Sequence, residues 1–317
     1  MICRNEGPIR NRVLRQVNQT RTNCNGDLAK ESNIMATISF QSHVAAGTVG
    51  NAAASTVNAA FGRAVWAFPT VLYSNHPAGR AFAGEVVSPQ LLDECVVAFQ
   101  ENGLIEQVDR VQSGYLGAVA HAPVILALLA AARRTGRVVP YACDPVCGDQ
   151  ATGLYVPTDV ATVIRDVLVP AADIVTPNLF ELGYLTGAPV ETTSQVWAAM
   201  QALQTAGPGI VVATSVLTPD TPPGHLDTFL LDGPNGWIVT APHVECPAHG
   251  AGDVLTAVFL ARLAAGEAPE TALSHAVSSV HCILEASGGQ PDLALYAARD
   301  AILSPAPVFP AVPRPPS

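Results

Sequence analysis

Lysine is almost missing from this chain, because its 317 residues include a single one, Lys30. A Walker A loop needs a lysine that reaches the β- and γ-phosphates of a nucleotide, so the sequence excludes that motif. An enzyme that holds pyridoxal phosphate as a Schiff base also needs a lysine. That class of enzyme is excluded as well, unless Lys30 forms the Schiff base.

Charge of either sign is scarce. Charged residues make up 13% of the chain, about half of the roughly 25% that is usual for globular domains. The formal net charge is -10. A protein that binds nucleic acid generally carries a basic face, so we expect no nucleic-acid partner.

Cysteine pairs and long apolar runs are also lacking. The seven cysteines are scattered and form no CxxC pair, which favours neither a zinc site nor a disulfide framework. A reducing compartment, the cytoplasm, fits this usage. The longest apolar run, residues 124–132, is far shorter than the roughly 18 residues that a membrane span needs. We therefore expect a soluble protein with no membrane partner.

The chain divides into three parts by composition. Residues 1–34 carry six basic and three acidic side chains and no apolar run. They are either a basic targeting arm or the product of an upstream start, with Met35 as the functional first residue; we expect them to be disordered or not native. Residues 35–303 form one predicted domain. Residues 304–317 include six prolines and are predicted to be an extended tail.

From Met35 onward, short apolar runs alternate with helical patterns of 10–15 residues. Such alternation predicts an α/β protein, a three-layer α/β/α sandwich around a mostly parallel sheet. The predicted strands are 36–40, 64–68, a strand leading to Ser113, 137–143, 174–175, 210–214, 227–231 and 236–240. The predicted helices are 51–61, 89–99, 123–134, 158–169, 179–185, 195–205, 252–265 and 269–285.

A glycine-rich turn precedes one of these helices. In Gly250-Ala251-Gly252-Asp253, the glycines let successive backbone amides point into one concavity. The amino-terminal end of the helix adds partial positive charge, so the turn suits an anion. Asp253 is placed to take a proton from an alcohol while the amides hold a phosphoryl group. The alternative is that Asp253 only caps the helix.

Acidic side chains follow two predicted strands. Asp144 and Asp149 come after one strand, and Glu181 follows the next. Because ligands of open α/β sheets bind beyond the carboxyl ends of the strands, we expect these carboxylates to converge on hydrated Mg²⁺ beside nucleotide phosphates. The alternative is that Asp149 stabilises a turn and Glu181 a helix terminus.

A third group of polar residues lies near the amino terminus of the predicted domain. Gln41-Ser42-His43 ends the first strand, and Thr70 to His76 follow the second. Hydroxyl, imidazole and aromatic groups at strand ends suit a small, flat, polar ring. The cysteines are interpreted as small apolar core residues.

Six motifs in this sequence occur in the order and with the spacing of one known family. They are Gln41-Ser42-His43-Val44, Ser74-Asn75-His76, Ser113-Gly114-Tyr115, Cys143-Asp144-Pro145-Val146, Thr176-Pro177-Asn178-x-x-Glu181 and Gly250-x-Gly252-Asp253. Over nearly all of residues 35–290 the chain resembles the pyridoxal kinases of the ribokinase-like superfamily. The resemblance implies ATP-dependent phosphorylation of the 5′-hydroxymethyl group of pyridoxal, pyridoxine or pyridoxamine in vitamin B6 salvage, by a homodimer.

The resemblance also implies roles for single residues. Asp253 is then the general base, and Gly250, Ala251 and Gly252 form the anion hole. Ser42 binds the pyridine nitrogen and His76 lies near the ring hydroxyl. Enclosure of the ring falls to Val49, Val71, Tyr73, Phe82 and Tyr115. Magnesium is assigned to Asp144, Asp149 and Glu181. The residues expected around ATP are these three and Tyr155, Thr176, Asn178, Thr214, Ser215, Gly250 and Gly252. Family members also use a monovalent cation in places.

The sequence departs from the family pattern at Pro77, where a threonine that contacts the substrate is common, and at Ala45-Ala46-Gly47, where larger side chains are common. Two alternatives stay open. One is a hydroxymethylpyrimidine kinase of the same superfamily, which also acts on a hydroxymethyl group of a flat ring. The other is a non-catalytic vitamer-binding protein that has kept the fold.

Overall fold

The computed structural model describes residues 35–314. The predicted basic segment 1–34 and the last three residues of the predicted tail lie outside the described residues. The strands are, in chain order, β1 Ala36–Val44, β2 Ala64–Tyr73, β3 Gly84–Val86, β4 Val108–Ser113, β5 Tyr141–Cys143, β6 Gly148–Asp149, β7 Gly153–Leu154, β8 Ile174–Val175, β9 Ile210–Val216, β10 His225–Asp232, β11 Asn235–Pro242 and β12 Val312–Pro313.

Helices connect most of these strands. They are α1 Asn51–Ala60, α2 Pro89–Glu101, α3 His121–Arg133, α4 Thr158–Val163, α5 Val169–Ala171, α6 Leu179–Thr186, α7 Thr193–Ala206, α8 Ala251–Ala264, α9 Pro269–Ser287 and α10 Asp300–Leu303. A 3₁₀ turn covers Ile105–Gln107, and a π-helical turn over Ile164–Leu168 joins α4 to α5. The sequence predicted one continuous helix there.

Ten strands form one sheet in the order β12-β11-β10-β9-β8-β5-β4-β1-β2-β3. The six central strands from β9 to β2 run parallel, and the strands outside them are antiparallel to their neighbours. β6 and β7 form a separate hairpin. The predicted three-layer α/β/α fold with a mostly parallel sheet is confirmed.

Both faces of the sheet are buried, as the near-continuous apolar runs of its central strands require. Successive residues of a strand point to opposite faces. Val211 and Phe229 therefore belong to the core on one face, whereas their neighbours Val212 and Leu230 belong to the core on the other. Because the central strands are parallel, their carboxyl ends and the residues that follow them meet at one edge of the sheet.

β1 and β2 continue four and five residues beyond the ends that the sequence predicts. β1 was predicted to end at Phe40 and β2 at Phe68, because polar residues and Pro69 follow. In the structure Gln41 pairs with Pro69, and a register shift between Gln41 and His43 marks an irregularity in the β1–β2 pairing. β3 pairs only with residues 71–73 of β2, so Pro69 faces no strand on that side and its missing amide hydrogen breaks no ladder there.

The proline-rich carboxyl-terminal segment contacts the domain. Phe309 donates its amide to Ser278 Oγ at 2.8 Å and accepts from Ser274 Oγ at 2.5 Å, both on α9. β12 then pairs with Trp237 and Ile238 of β11. The segment thus adds an edge strand that the sequence did not predict, because two residues give no periodic signal.

Candidate active site

Two cavities meet at the carboxyl edge of the sheet. The larger has a volume of about 580 Å³ and the smaller about 320 Å³. Both are lined by Thr214, Ser215 and Gly252. A ligand in one cavity therefore comes within reach of a ligand in the other at the amino-terminal end of α8.

Asp253 lies at this junction, in the first turn of α8. Its Oδ2 accepts a hydrogen bond from the amide of Gly50 at 2.9 Å. Burial raises the pKa of Asp253 to about 6, against the lowering effect of that hydrogen bond. A carboxylate with such a pKa is ionised at neutral pH and is suited to accept a proton.

Backbone conformation at two glycines builds the loop around Asp253. Gly250 has φ +100°, and a Cβ there would lie 2.8 Å from the carbonyl oxygen of Thr48. Gly50 has φ +54°, and a Cβ there would lie 2.4 Å from both the carbonyl oxygen and Oγ of Ser42. The first amides of α8 have no partner within the helix, and the residues that carry them line the two cavities.

Asp144 follows β5 and is buried in the wall of the larger cavity. Thr256 Oγ1 donates to its Oδ2 at 3.3 Å and to Thr176 Oγ1 at 3.0 Å. Burial, and then the charges of Glu181 and Asp253, raise the pKa of Asp144 well above its usual range. The carboxyl group of Asp144 therefore keeps its proton more readily than an exposed aspartate does.

Glu181 and Asp149 are held by backbone amides. Glu181 accepts from the amides of Cys147 and Asn178, each at 2.9 Å, and forms a capping box with Asn178 at the start of α6. Burial raises its pKa to about 7. Asp149 Oδ1 accepts from the amides of residues 151 and 152, at 2.9 and 2.7 Å. Asp149 thus stabilises a turn and Glu181 a helix terminus, as the structural alternatives for these two residues predicted.

Ser215 is strained at the junction of the cavities. It has φ +53°, the only positive φ of a non-glycine residue in the described part of the chain. Backbone strain of this kind clusters at binding sites, where the surrounding structure holds it in place.

Comparison with known proteins identifies the family. The family model described as Phosphomethylpyrimidine kinase matches residues 83–290. The chain is 36% identical to Pyridoxal kinase PdxY of Leifsonia xyli subsp. xyli over 86% of this chain and 96% of that protein. It is also 36% identical to Pyridoxal kinase PdxY of Rubrobacter xylanophilus, over 86% of this chain and 95% of that protein. The chain belongs to the pyridoxal kinase family.

A solved structure agrees with this membership. Pyridoxal kinase from Leishmania donovani in complex with ADP and pyridoxamine is 25% identical, with a TM-score of 0.81, and the match covers 89% of this chain and all of that one. The resemblance that six motifs indicated is confirmed, as are the ribokinase-like fold and the kinase class. None of the helices in residues 35–314 is both long and apolar enough to cross a membrane.

Most of the residues that the pyridoxal kinase resemblance singled out lie around the larger cavity. They are Ser42, Val49, Tyr73, His76, Tyr115, Asp144, Asp149, Tyr155, Thr176, Asn178, Glu181, Thr214, Ser215, Gly250, Gly252 and Asp253. Ala251 lines the smaller cavity. The structure thus brings together side chains that are more than 200 residues apart in the sequence.

Two residues predicted to enclose the ring do not line either cavity. Val71 is fully buried, and a Cβ on Gly117 would lie 2.6 Å from its Cγ1, so its side chain packs inside the fold. Phe82 is 49% exposed, and its ring contacts Tyr73 with centroids 5.2 Å apart. Phe82 therefore supports a cavity residue without facing the cavity. That these two residues enclose the ring stays a prediction, which the cavity lining does not support.

Asp144, Asp149 and Glu181, predicted to converge on hydrated Mg²⁺, line the same cavity, and their role toward the ion stays a prediction. Among residues 35–314, no three His, Cys, Asp or Glu side chains are grouped as metal ligands. Backbone amides hold both carboxylates: Glu181 is bonded to the segment at Cys147, and Asp149 to its own turn.

Sequence reasoning missed most of the smaller cavity. Its wall consists mainly of apolar side chains from β10, the segment after β11, α8 and α9, among them Leu226, Val244, Leu255, Val277, Val280 and Leu284. These residues come from four separate elements and belong to no motif. Only their packing reveals the cavity.

The sequence also gave no role to His249, which lines the larger cavity beside Gly250. Its ring stacks on that of His76, with centroids 3.9 Å apart and planes at 13°. Its position directly before the glycine-rich turn was the one available signal.

The cysteines agree with the apolar interpretation at Cys143 and Cys147, where burial raises the pKa of the thiols above the usual range.

Proposed function

We propose that this protein transfers the terminal phosphoryl group of ATP to the 5′-hydroxymethyl group of pyridoxal, and of pyridoxine and pyridoxamine, in vitamin B6 salvage. Family membership supports the reaction. The observation that carries the proposal is the position of Asp253, a partly buried carboxylate with a raised pKa, at the junction of two cavities and beside free helix amides.

The polarity of the two cavities supports the assignment of one ligand to each. The smaller cavity has a mainly apolar wall that suits a nucleobase and ribose. The larger cavity presents Ser42, Tyr73, His76 and Tyr115, which suit a flat ring with hydrogen-bonding substituents. Thr214 and Ser215, which line both, are assigned to the nucleotide. With the ligands in this order, the acceptor hydroxyl and the terminal phosphate meet at Gly252 and Asp253.

The chain's own residues supply the chemistry of transfer. Asp253 accepts the proton of the acceptor hydroxyl as the oxygen attacks phosphorus. The amides of residues 250–252 and the amino-terminal end of α8 stabilise the charge on the transferred phosphoryl group. Transfer of this kind depends on positioning and charge stabilisation, which explains why the family needs no Walker lysine.

The charges of the larger cavity fit bound Mg²⁺. Four carboxylates line it, and no lysine or arginine of the described residues does so. A polyphosphate added to these carboxylates needs a cation to offset the repulsion. Asp144, Asp149 and Glu181 would hold the ion largely through water, as is usual for Mg²⁺ in nucleotide sites. When bound, Mg²⁺ neutralises charge on the phosphates.

A homodimer and a cytoplasmic location stay predictions.

A hydroxymethylpyrimidine kinase is the second candidate, because the matching family model is described as Phosphomethylpyrimidine kinase. ADP formation should be measured with the full chain, ATP and Mg²⁺ against pyridoxal, pyridoxine, pyridoxamine and hydroxymethylpyrimidine. We expect kcat/KM for pyridoxal to exceed that for hydroxymethylpyrimidine by about 10-fold or more, since an unmatched buried polar group is costly. The reverse preference would establish the second candidate. Calorimetric binding of vitamers without ADP formation would indicate a non-catalytic protein.

A further inference from the structure

The loop between β2 and β3, residues 74–83, forms one wall of the larger cavity and is here named the acceptor loop. Hydrogen bonds close its base: the amide of Ser74 donates to the carbonyl oxygen of Ala83 at 2.7 Å, and the amide of Ala83 donates to Ser74 Oγ at 2.9 Å. Inside the loop, Asn75 Nδ2 donates to the carbonyl oxygen of Ala81 at 3.0 Å. These contacts fix the shape of the loop but not its position over the cavity.

His76 is the residue of the acceptor loop that contacts the segment before the glycine-rich turn. Its ring stacks on His249 with centroids 3.9 Å apart, and both rings line the larger cavity. His249 precedes Gly250 directly, and its backbone bridges to that of Asp292. The stack therefore joins the acceptor loop to the segment that leads into the glycine-rich turn.

The His76 ring is prepared to donate a hydrogen bond. Its Nδ1 accepts from the amide of Ala78 at 3.3 Å, which assigns the proton of the neutral ring to Nε2. Burial and the neighbouring His249 lower its pKa, against the opposing charge of Asp292. A neutral imidazole with a proton on Nε2 suits an oxygen substituent on the acceptor ring.

We infer that His249 is a positioning residue for the acceptor: its ring holds His76, and with it the acceptor loop, against the larger cavity. The inference rests on the proposed function in so far as the acceptor is a B6 vitamer. His249 acts through His76 and does not enter the phosphoryl transfer. Its loss should therefore weaken acceptor binding and leave nucleotide binding intact.

Steady-state kinetics of His249→Ala test the inference. An aromatic pair of this kind corresponds to a change of roughly 2- to 10-fold in an equilibrium constant. We expect the KM for pyridoxal to rise by that factor, with kcat and the KM for ATP each within about twofold of wild type. His249→Phe, which keeps a flat ring, should restore the KM for pyridoxal. His76→Ala combined with His249→Ala should be no worse than His76→Ala alone.

A second measurement follows the acceptor loop without any substrate. Arg80 is exposed in this loop, so trypsin cleavage after Arg80, identified by fragment mass, reports how often the loop leaves the cavity. We expect faster cleavage in His249→Ala than in wild type and His249→Phe, and no such fragment from Arg80→Gln. If the wild type phosphorylates no vitamer, the proposed function fails while cleavage still tests the stack. Equal cleavage in all three proteins, equal rises in both KM values, or additive effects of the two alanine substitutions would overturn the inference.

Discussion

At the scale of single residues, Asp253 is the group on which the proposed chemistry depends. Asp253→Asn keeps the shape of the side chain and an oxygen that can accept from the Gly50 amide, but it removes the base. We expect kcat to fall by roughly 10²- to 10⁴-fold, with the KM for pyridoxal and for ATP within about threefold. Asp220→Asn, at an exposed aspartate that lines neither cavity, is the control. Unchanged turnover in Asp253→Asn would refute the assignment.

The raised pKa of Asp253 gives a pH dependence with a definite sign. Burial raises its pKa to about 6, and only the ionised form accepts a proton. The kcat/KM for pyridoxal should therefore fall about 10-fold per pH unit below pH 6, since this parameter reports the free enzyme. Dividing each wild-type rate by that of Asp253→Asn at the same pH removes the titration of ATP. A ratio that stays constant down to pH 5 would contradict the prediction.

The same pKa has a consequence for stability that needs no turnover. Because the pKa of Asp253 is about 6 in the folded protein and about 3.9 in an unfolded chain, the folded state binds the proton more tightly. As the pH rises from about 4 to about 6, the unfolded chain releases this proton before the folded protein does, so the free energy of unfolding falls and then stays level above pH 6. In the absence of ligands, Asp253→Asn should raise the Tm at pH 8 by a few degrees, and this difference should vanish near pH 4.

Residue types alone predicted much of the site but not which atoms face it. Asp253 and the two glycines were predicted because their chemistry depends on a short local motif. Val71 lies fully buried and lines neither cavity, since alternation along a strand does not tell how deep a residue lies beneath a cavity. The hydrogen bonds of Glu181 to Cys147 and Asn178 were not predicted, because they depend on a loop conformation that no local pattern specifies.

At the scale of elements, the turn before α1 connects the acceptor side to the base. Gly50→Ala would place a Cβ 2.4 Å from two atoms of Ser42 at φ +54°. We expect the free energy of unfolding to fall by roughly 1–2 kcal/mol from strain and roughly 1–3 kcal/mol from the clash. We also expect kcat/KM to fall at least about 10-fold, because the amide that holds Asp253 moves.

Gly62→Ala is the matched control for this prediction. Gly62 ends the turn after α1 with φ +68°, and a Cβ there would have no atom within 4 Å. In Gly62→Ala the free energy of unfolding should fall only by the amount due to strain, and kcat/KM should stay unchanged. Urea unfolding and pyridoxal kinetics of the two variants separate the effects. Equal losses of stability and unchanged activity in both would show that contact with Ser42 does not matter.

Elements with a strong periodic signal were predicted well, and those that depend on neighbours were not. The long helices and the buried central strands follow from apolar periodicity. β1 and β2 extend beyond their predicted ends, and Ser42 and Tyr73 in these extensions line the larger cavity, where polarity serves a ligand and does not mark a loop. β3 and β12 exist only because an edge of the sheet offers them a partner.

At the scale of the whole molecule, the carboxyl-terminal segment closes on the element that supports the smaller cavity. His281 of α9 lines this cavity and is 7% exposed. The ring of Phe309 packs edge-on against its ring, with centroids 4.9 Å apart and planes at 86°. The segment that composition set apart as a proline-rich tail thus reaches the proposed nucleotide site through one helix.

Phe309→Ala tests this connection. Loss of the partly buried ring should lower the free energy of unfolding by roughly 1–3 kcal/mol and raise the KM for ATP several-fold, because His281 loses its packing partner. The KM for pyridoxal should stay within about twofold, since none of the residues around the larger cavity touches Phe309 in the described contacts. Val308→Ala, at a half-exposed neighbour, is the control and should change stability by no more than about 0.5 kcal/mol. If Phe309→Ala lost stability but kept the KM for ATP, the segment would brace α9 without shaping the smaller cavity.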